Sequence, residues 1–133
     1  MDKYESKQVQ IRRPAETVYA VVSDFSNFTP ILQGQVDEWE ATAEGCSFKV
    51  KGFRVALRMV EKQPPTMVRI EGEPPSPIAF TFWLQLHPVA EDDTRMRLTL
   101  HVELNPMIRM MIGGKIQQVL DQAADRIAES FST

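Results

Sequence analysis

The chain has 133 residues, of which 43% are hydrophobic and 25% charged, and its formal net charge is −3. Length and composition are those of one ordinary globular domain, so we expect residues 1–133 to fold as a single unit. The acidic balance argues against a nucleic-acid partner, because Lys and Arg contacts to phosphates carry most of that affinity.

The first part of the chain predicts one strand followed by two short helices. Residues 4–12 indicate a strand with Val9 and Ile11 on one face. Pro14 suits the first position of a helix, where its missing N–H costs nothing. The apolar spacing is helical as far as Phe25. Ser23 or Asp24 can end this helix and cap a second one over residues 26–32.

From Val36 onward the apolar period becomes that of strands. Four strand-length segments (36–43, 46–50, 53–62 and 66–72) are separated by Gly- or Pro-containing turns. A stiff connection follows, with prolines at 74, 75 and 77. Two further strands, 78–89 and 95–104, alternate apolar and polar residues. Strands with one solvent-exposed face and one buried face are typical of antiparallel sheets, so antiparallel pairing is predicted.

The last segment predicts a long helix from Asn105 and Pro106, a good N-cap and first helical residue, to about Phe131. Its back half is amphipathic, with a stripe that includes Val119 and Leu120. The front half is more apolar, because methionines at 107, 110 and 111 widen the stripe. Three interpretations stay open: the short helices cover these methionines, the methionines form an adaptable lid over a pocket, or they form a dimer contact.

This element order predicts an α+β fold in which one face of an antiparallel sheet is covered by the C-terminal helix. No apolar run approaches the ~20 residues that span a bilayer, and the first residues lack the apolar core of a signal peptide. The single cysteine, Cys46, allows no intrachain disulfide. A cytoplasmic protein without a membrane span is therefore expected.

Several short motifs mark the helix starts and turns of this order. They are PAETVY at 14–19, SDFSNF at 23–28, VEKQPP at 60–65 and DTRM at 93–96. With these motifs the chain resembles the START-like, helix-grip superfamily (SRPBCC), in particular its polyketide cyclase/dehydrase and lipid-transport branch. The resemblance implies a strongly bent seven-stranded antiparallel sheet around the C-terminal helix, with two short helices after the first strand. It also implies a cavity between sheet and helix. Family members bind lipids, polyketides, hormones or quinones, and some catalyse cyclisation or dehydration.

A search for catalytic side chains gives no convincing constellation, so enzyme status stays open. His101 falls on the wet face of the last strand, and His87 lies at a strand end. The two histidines lack the spacing of a metal site, and Cys46 has no activating neighbour in sequence. No catalytic residue, metal or cofactor is predicted. An inward Trp39 could offer its N–H to a ligand, whereas the alternation places Trp83 outside.

The prediction is a binding or carrier protein for a small hydrophobic molecule such as a lipid, polyketide or quinone, as a monomer or homodimer. One alternative is an aromatase/cyclase or dehydratase, which would need an inward acid or base such as His101, Glu103 or Arg97. Another is a protein-interaction or chaperone-type module. The expected cavity lining is apolar, and comprises Val55, Leu57, Met59, Val68, Ile70, Phe80, Phe82, Leu84, Met96, Leu98, Leu100, Ile108, Met111 and Ile112.

Overall fold

One antiparallel sheet organises the computed structural model, which describes residues 2–32, 34–50, 52–74 and 79–132. Over these ranges the sheet has eight strands in the order β1-β8-β7-β6-β5-β4-β3, with β2 also paired to β8. The strands are β1 Asp2–Glu5, β2 Val9–Ile11, β3 Asp37–Ala41, β4 Gly45–Val50, β5 Phe53–Gln63, β6 Met67–Glu73, β7 Phe80–Ala90 and β8 Asp93–Val102.

The predicted first strand is divided into β1 and β2, which pair one after the other with β8. Ser6 lies at the break between them. Its backbone N–H donates to the Leu98 carbonyl at 2.8 Å, and its hydroxyl accepts from the Leu98 N–H at 2.9 Å. A side-chain oxygen therefore replaces a backbone acceptor at this edge, and the seven predicted strands become eight.

The helices lie where the sequence predicts them. They are α1 Ala15–Val22, a 3₁₀ turn at Phe25–Phe28, α2 Thr29–Leu32 and α3 Pro106–Glu129. Pro14 occupies the N-cap of α1 rather than its first turn. The Asp24 carboxylate caps the 3₁₀ turn by accepting from the Ser26 N–H at 2.9 Å. The Asn105 side chain caps α3 by accepting from the Ile108 N–H at 2.8 Å.

Polar contacts fasten one flank of α3 to the edge formed by β1 and β2. Arg109 pairs with Asp2 at 2.8 Å, and Gln117 donates to the Glu5 carbonyl at 2.6 Å. Farther along, the Lys7 N–H donates to Asp121 at 2.7 Å. These contacts span more than three turns of helix, at about 3.6 residues per turn. They fix both the position and the rotation of α3 beside the sheet.

The core lies under the back half of α3. Leu120, Ala124 and Ile127 are the buried residues of this helix. Val119, which the sequence places on the buried stripe, is 60% exposed. The predicted burial is therefore wrong for Val119 and right for its neighbour Leu120. The polar contacts rotate the helix so that Leu120 faces the sheet and Val119 faces solvent.

Candidate binding site between the sheet and the C-terminal helix

The inner face of the sheet consists of cross-strand rows of apolar side chains. Strand pairing places Met96 between Val9 and Leu86, and places Leu84 between Leu98 and Val68. All six side chains are buried, with no more than 8% exposed. We call these two rows the closed rows. Residues packed this tightly belong to the core and leave little room for another molecule.

The next two rows, which we call the open rows, continue the same face. In one, Leu100 pairs with Phe82 and Tyr4, and Phe82 also pairs with Ile70. In the other, Phe80 pairs with Val102, and Leu57 lies across from Gly72. Four apolar side chains in these rows are only half-buried: Leu57, Phe80, Phe82 and Leu100. The change from closed to open takes two residues along a strand, about 7 Å.

The predicted lining residues on the sheet share one face, but they divide into two groups. Six of them are buried: Met59, Val68, Ile70, Leu84, Met96 and Leu98. Five are half-buried: Val55, Leu57, Phe80, Phe82 and Leu100. Only the second group keeps apolar surface that another molecule could cover.

The front half of α3 lies beside β1, through the Arg109–Asp2 pair, and β1 pairs with the open-row end of β8. Ile108 and Ile112 are half-buried, and with Ile116 and Val119 they fall within an arc of about 80° around the helix. Met111, the third predicted lining residue on this helix, is 68% exposed. This helix face is apolar and incompletely covered.

The methionines of α3 are more exposed than the rest of its apolar face. Met107 is 72% exposed and Met110 is 88% exposed. The interpretation in which the short helices pack over this segment is therefore wrong. The lid and dimer interpretations both remain compatible with a surface of this kind.

Aromatic side chains that the sequence analysis left out of the lining flank the open rows. The ring of Phe48, which pairs with Val55, lies 6.0 Å from that of Trp39. The Trp39 indole N–H donates to the Thr29 hydroxyl at 2.8 Å, which ties α2 to β3. That N–H is consequently engaged within the protein rather than offered to a ligand. The alternation of Cys46 and Phe48 on one strand face was the signal for Phe48.

Gly72 is a second residue that the sequence analysis missed. A Cβ at this position would lie 2.6 Å from the ring of Phe80, well inside van der Waals contact. The glycine therefore allows the Phe80 ring to lie directly over the sheet. A glycine inside a strand often marks such a close approach, and this was the available signal.

The polar side chains considered for catalysis lie away from this inner face. Arg97 and Glu103 are exposed, and so is His87. His101 contacts Trp83 edge-to-face, with ring centroids 4.6 Å apart. Both rings belong to the polar, outward phase of β7 and β8, as predicted for Trp83. The acid or base that the enzyme alternative requires is not supplied by these residues.

Two interior groups have altered proton affinities. Burial raises the pKa of the Cys46 thiol to about 12, so the thiolate that acts as nucleophile is scarce at neutral pH. Burial, with a smaller contribution from the Glu44 carboxylate, raises the pKa of Tyr19. The Tyr19 hydroxyl is buried and has no hydrogen-bond partner among the described residues. Sequence analysis did not single out Tyr19, because it reads simply as one apolar position of α1.

A separate groove lies at the far end of α3. It has a volume of about 460 Å³ and is lined by Gln10, Ile11, Arg12, Arg13, Ala128, Phe131 and Ser132. Its lining is more polar than the open rows, and none of the predicted lining residues contributes to it. In the part of the chain that the structure describes, no three His, Cys, Asp or Glu residues are placed to hold a metal ion. No helix within the described ranges is long and apolar enough to cross a membrane.

An antiparallel sheet whose inner face is covered by a long C-terminal helix, with two short helices after the early strands, defines the helix-grip class of fold. Within that class, the chain belongs to the polyketide cyclase / dehydrase and lipid transport family, whose sequence model matches residues 5–131. Among curated proteins, none matches the chain at a significant level.

Solved structures share this fold at low sequence identity. A Thermobifida fusca protein solved by NMR superimposes with a TM-score of 0.71 at 19% identity, covering 98% of this chain and 93% of that one. Norcoclaurine synthase from Thalictrum flavum gives 0.73 at 11% identity, covering 96% of this chain and 84% of that one. A Thermus thermophilus protein gives 0.68 at 18% identity, with coverages of 98% and 94%. At these identities the likeness establishes the fold alone.

Proposed function

We propose that this protein binds and carries a small, largely apolar molecule, of the lipid, polyketide or quinone kind, between the open rows and the front half of α3. The observation that carries the proposal is the burial step across the inner face. The same apolar alternation runs through all four rows, yet four side chains of the open rows keep part of their surface uncovered. Family membership supports the proposal, since the family's description includes lipid transport.

Apolar burial supplies the driving force in this proposal. Covering about 200 Å² of apolar protein surface would contribute about 5 kcal/mol at 25 cal/mol per Å², before the entropic costs of association. The half-buried rings of Phe80 and Phe82 provide broad contact surfaces. No charged group is required for affinity, which fits a neutral molecule.

Met107, Met110 and Met111 form the entrance in this proposal. Unbranched thioether side chains adjust to ligands of different shape at low cost. Gly113 and Gly114 follow within the same helix, and each glycine weakens it by about 1 kcal/mol relative to alanine. A locally weak, apolar helix start suits a segment that moves when a ligand enters. The expected lid motion is a displacement of residues 107–112 that breaks the Arg109–Asp2 pair, while the contacts of Gln117 and Asp121 stay in place.

Two matched tryptophan variants test the site, with N-phenyl-1-naphthylamine as a neutral fluorescent probe. Leu57 points into the open rows, whereas its neighbour Arg58 is exposed. Leu57→Trp should fill the site and weaken probe binding at least tenfold, and Arg58→Trp should leave it unchanged. Equal effects of the two variants, or no probe binding by the wild type, would contradict the proposal.

Native and denaturing mass spectrometry of freshly purified protein would identify the natural molecule. A reproducible extra mass that is lost on denaturation, and that organic extraction recovers, is the expected result. The same native spectrum gives the oligomeric state, which decides between the lid and the dimer interpretations of the methionines.

A further inference from the structure

Helix α1 contributes a buried polar atom, the Tyr19 hydroxyl, that no described residue satisfies. Tyr19 is only 8% exposed, and its hydroxyl has no hydrogen-bond partner among the described residues. A buried hydroxyl without a partner costs about 1–3 kcal/mol. Native proteins hold few such groups, and each one calls for a specific reason.

Tyr19 belongs to the buried core cluster, and side chains of the open rows pack against that cluster. The cluster combines Tyr19 with Met59 and Ile70, and the half-buried Phe82 and Leu100 pack against it. Met59 pairs with Ile70 across β5 and β6. The Met59 N–H donates to the Glu44 carbonyl at 2.9 Å. Glu44 also influences the proton affinity of Tyr19. The Phe25 N–H, just after α1, donates to the Ala43 carbonyl at 3.1 Å. This contact holds the end of α1, the helix that carries Tyr19, beside the β3–β4 turn.

Within the described ranges, no acceptor is bonded to this hydroxyl. The Glu44 carboxylate is engaged with Lys62 at 2.6 Å. The Glu44 carbonyl already accepts a hydrogen bond from the Met59 N–H, and the Cys46 thiol is at best a weak acceptor. A neutral phenol in such a position is a hydrogen-bond donor without an acceptor.

We propose that the Tyr19 hydroxyl donates a hydrogen bond to a neutral carbonyl oxygen of the bound molecule. This inference rests on the proposed function, and it narrows the ligand to apolar ketones, quinones or lactones. A carboxylate ligand is disfavoured, because burying a negative charge among apolar side chains is costly. A pure hydrocarbon would leave the hydroxyl unpaired.

Two isosteric probes test this inference: 2-acetylnaphthalene, which has a carbonyl, and 2-isopropenylnaphthalene, which has a methylene group in its place. Calorimetric affinities are compared for the wild type and Tyr19→Phe. The substitution should weaken ketone binding about tenfold, the effect of one hydrogen bond of about 1.4 kcal/mol, and should leave the hydrocarbon unaffected.

The outcomes separate this inference from the proposed function. If the wild type binds neither probe, the proposed site fails. If it binds both and Tyr19→Phe changes neither affinity, or changes both equally, the site stands and the role of the hydroxyl is refuted. The melting temperature of Tyr19→Phe should equal or exceed that of the wild type, since no protein bond is lost. A lower value would reveal a protein partner and overturn the inference.

An infrared measurement tests the same hydrogen bond without any mutation. The carbonyl stretch of bound 2-acetylnaphthalene should lie at lower frequency than in hexane, as expected for a ketone that accepts a hydrogen bond. A stretch at the hexane value would overturn the inference even if Tyr19→Phe failed to fold.

Discussion

The closed and open ends of the inner sheet face are built from the same kinds of residue, yet they differ in burial. On β8, Leu98 is fully buried, whereas Leu100, two residues farther along the same face, is half-buried. Side-chain chemistry does not explain the difference, since both are leucines on one strand. What covers the sheet explains it: the buried residues of α3 all lie in its back half. The comparison shows that one sheet face can be fully packed at one end and only partly covered at the other.

The largest effect should separate these two leucines. Leu98→Ala should lower the free energy of unfolding by about 2–5 kcal/mol, because it leaves a cavity in a packed core. Leu100→Ala should cost about 1 kcal/mol, since part of that side chain already contacts solvent. Chemical denaturation of both variants measures the difference. Equal losses would mean that the open rows are as tightly packed as the closed ones.

A smaller effect is expected at Gly72, where the open rows depend on a close contact. Gly72→Ala should cost about 1–3 kcal/mol, because the Phe80 ring must move from its place over the sheet. In a Phe80→Ala background the same change should cost much less, which a double-mutant cycle would detect.

Gly114→Ala provides the matched control for Gly72, because an added Cβ there meets nothing within 4 Å. This helical substitution should raise the free energy of unfolding by up to about 1 kcal/mol. Destabilisation of similar size at both glycines would show that the contact with Phe80 is not the cause.

The smallest effect on stability is expected at the entrance. Met111→Trp should change the free energy of unfolding by less than about 0.5 kcal/mol, because the side chain is 68% exposed. It should nevertheless alter the affinity for N-phenyl-1-naphthylamine about threefold or more. Gln118→Trp, at an exposed position farther along α3, should change neither. Unchanged affinity in Met111→Trp would count against the lid.

The sequence was sufficient for the fold because its signals are local. Alternation assigned the inner face correctly at positions such as Leu98 and Leu100, and Asn105 marked the start of α3. How deeply each residue is buried is not a local property. It depends on cross-strand pairing and on the rotation of α3, which the contacts of Lys7 and Gln117 determine. For this reason the prediction that Val119 is buried was wrong.

The same limit applies to the candidate site. The fourteen predicted lining residues could not be divided into core and binding surface from alternation, since both groups have the same period. Tyr19 carried no signal at all, because the value of its hydroxyl depends on the absence of an acceptor nearby. For Gly72 the sequence signal was weak: a glycine within a strand.

The polar fastening of α3 also bears on how such proteins diverge. Arg109, Gln117 and Asp121 hold the helix at the sheet edge through contacts that involve none of the half-buried apolar side chains. Substitutions in the open rows should therefore leave this attachment of the helix intact. The architecture itself is retained at low sequence identity, in structures that superimpose with TM-scores of 0.71 and 0.73 at 19% and 11% identity.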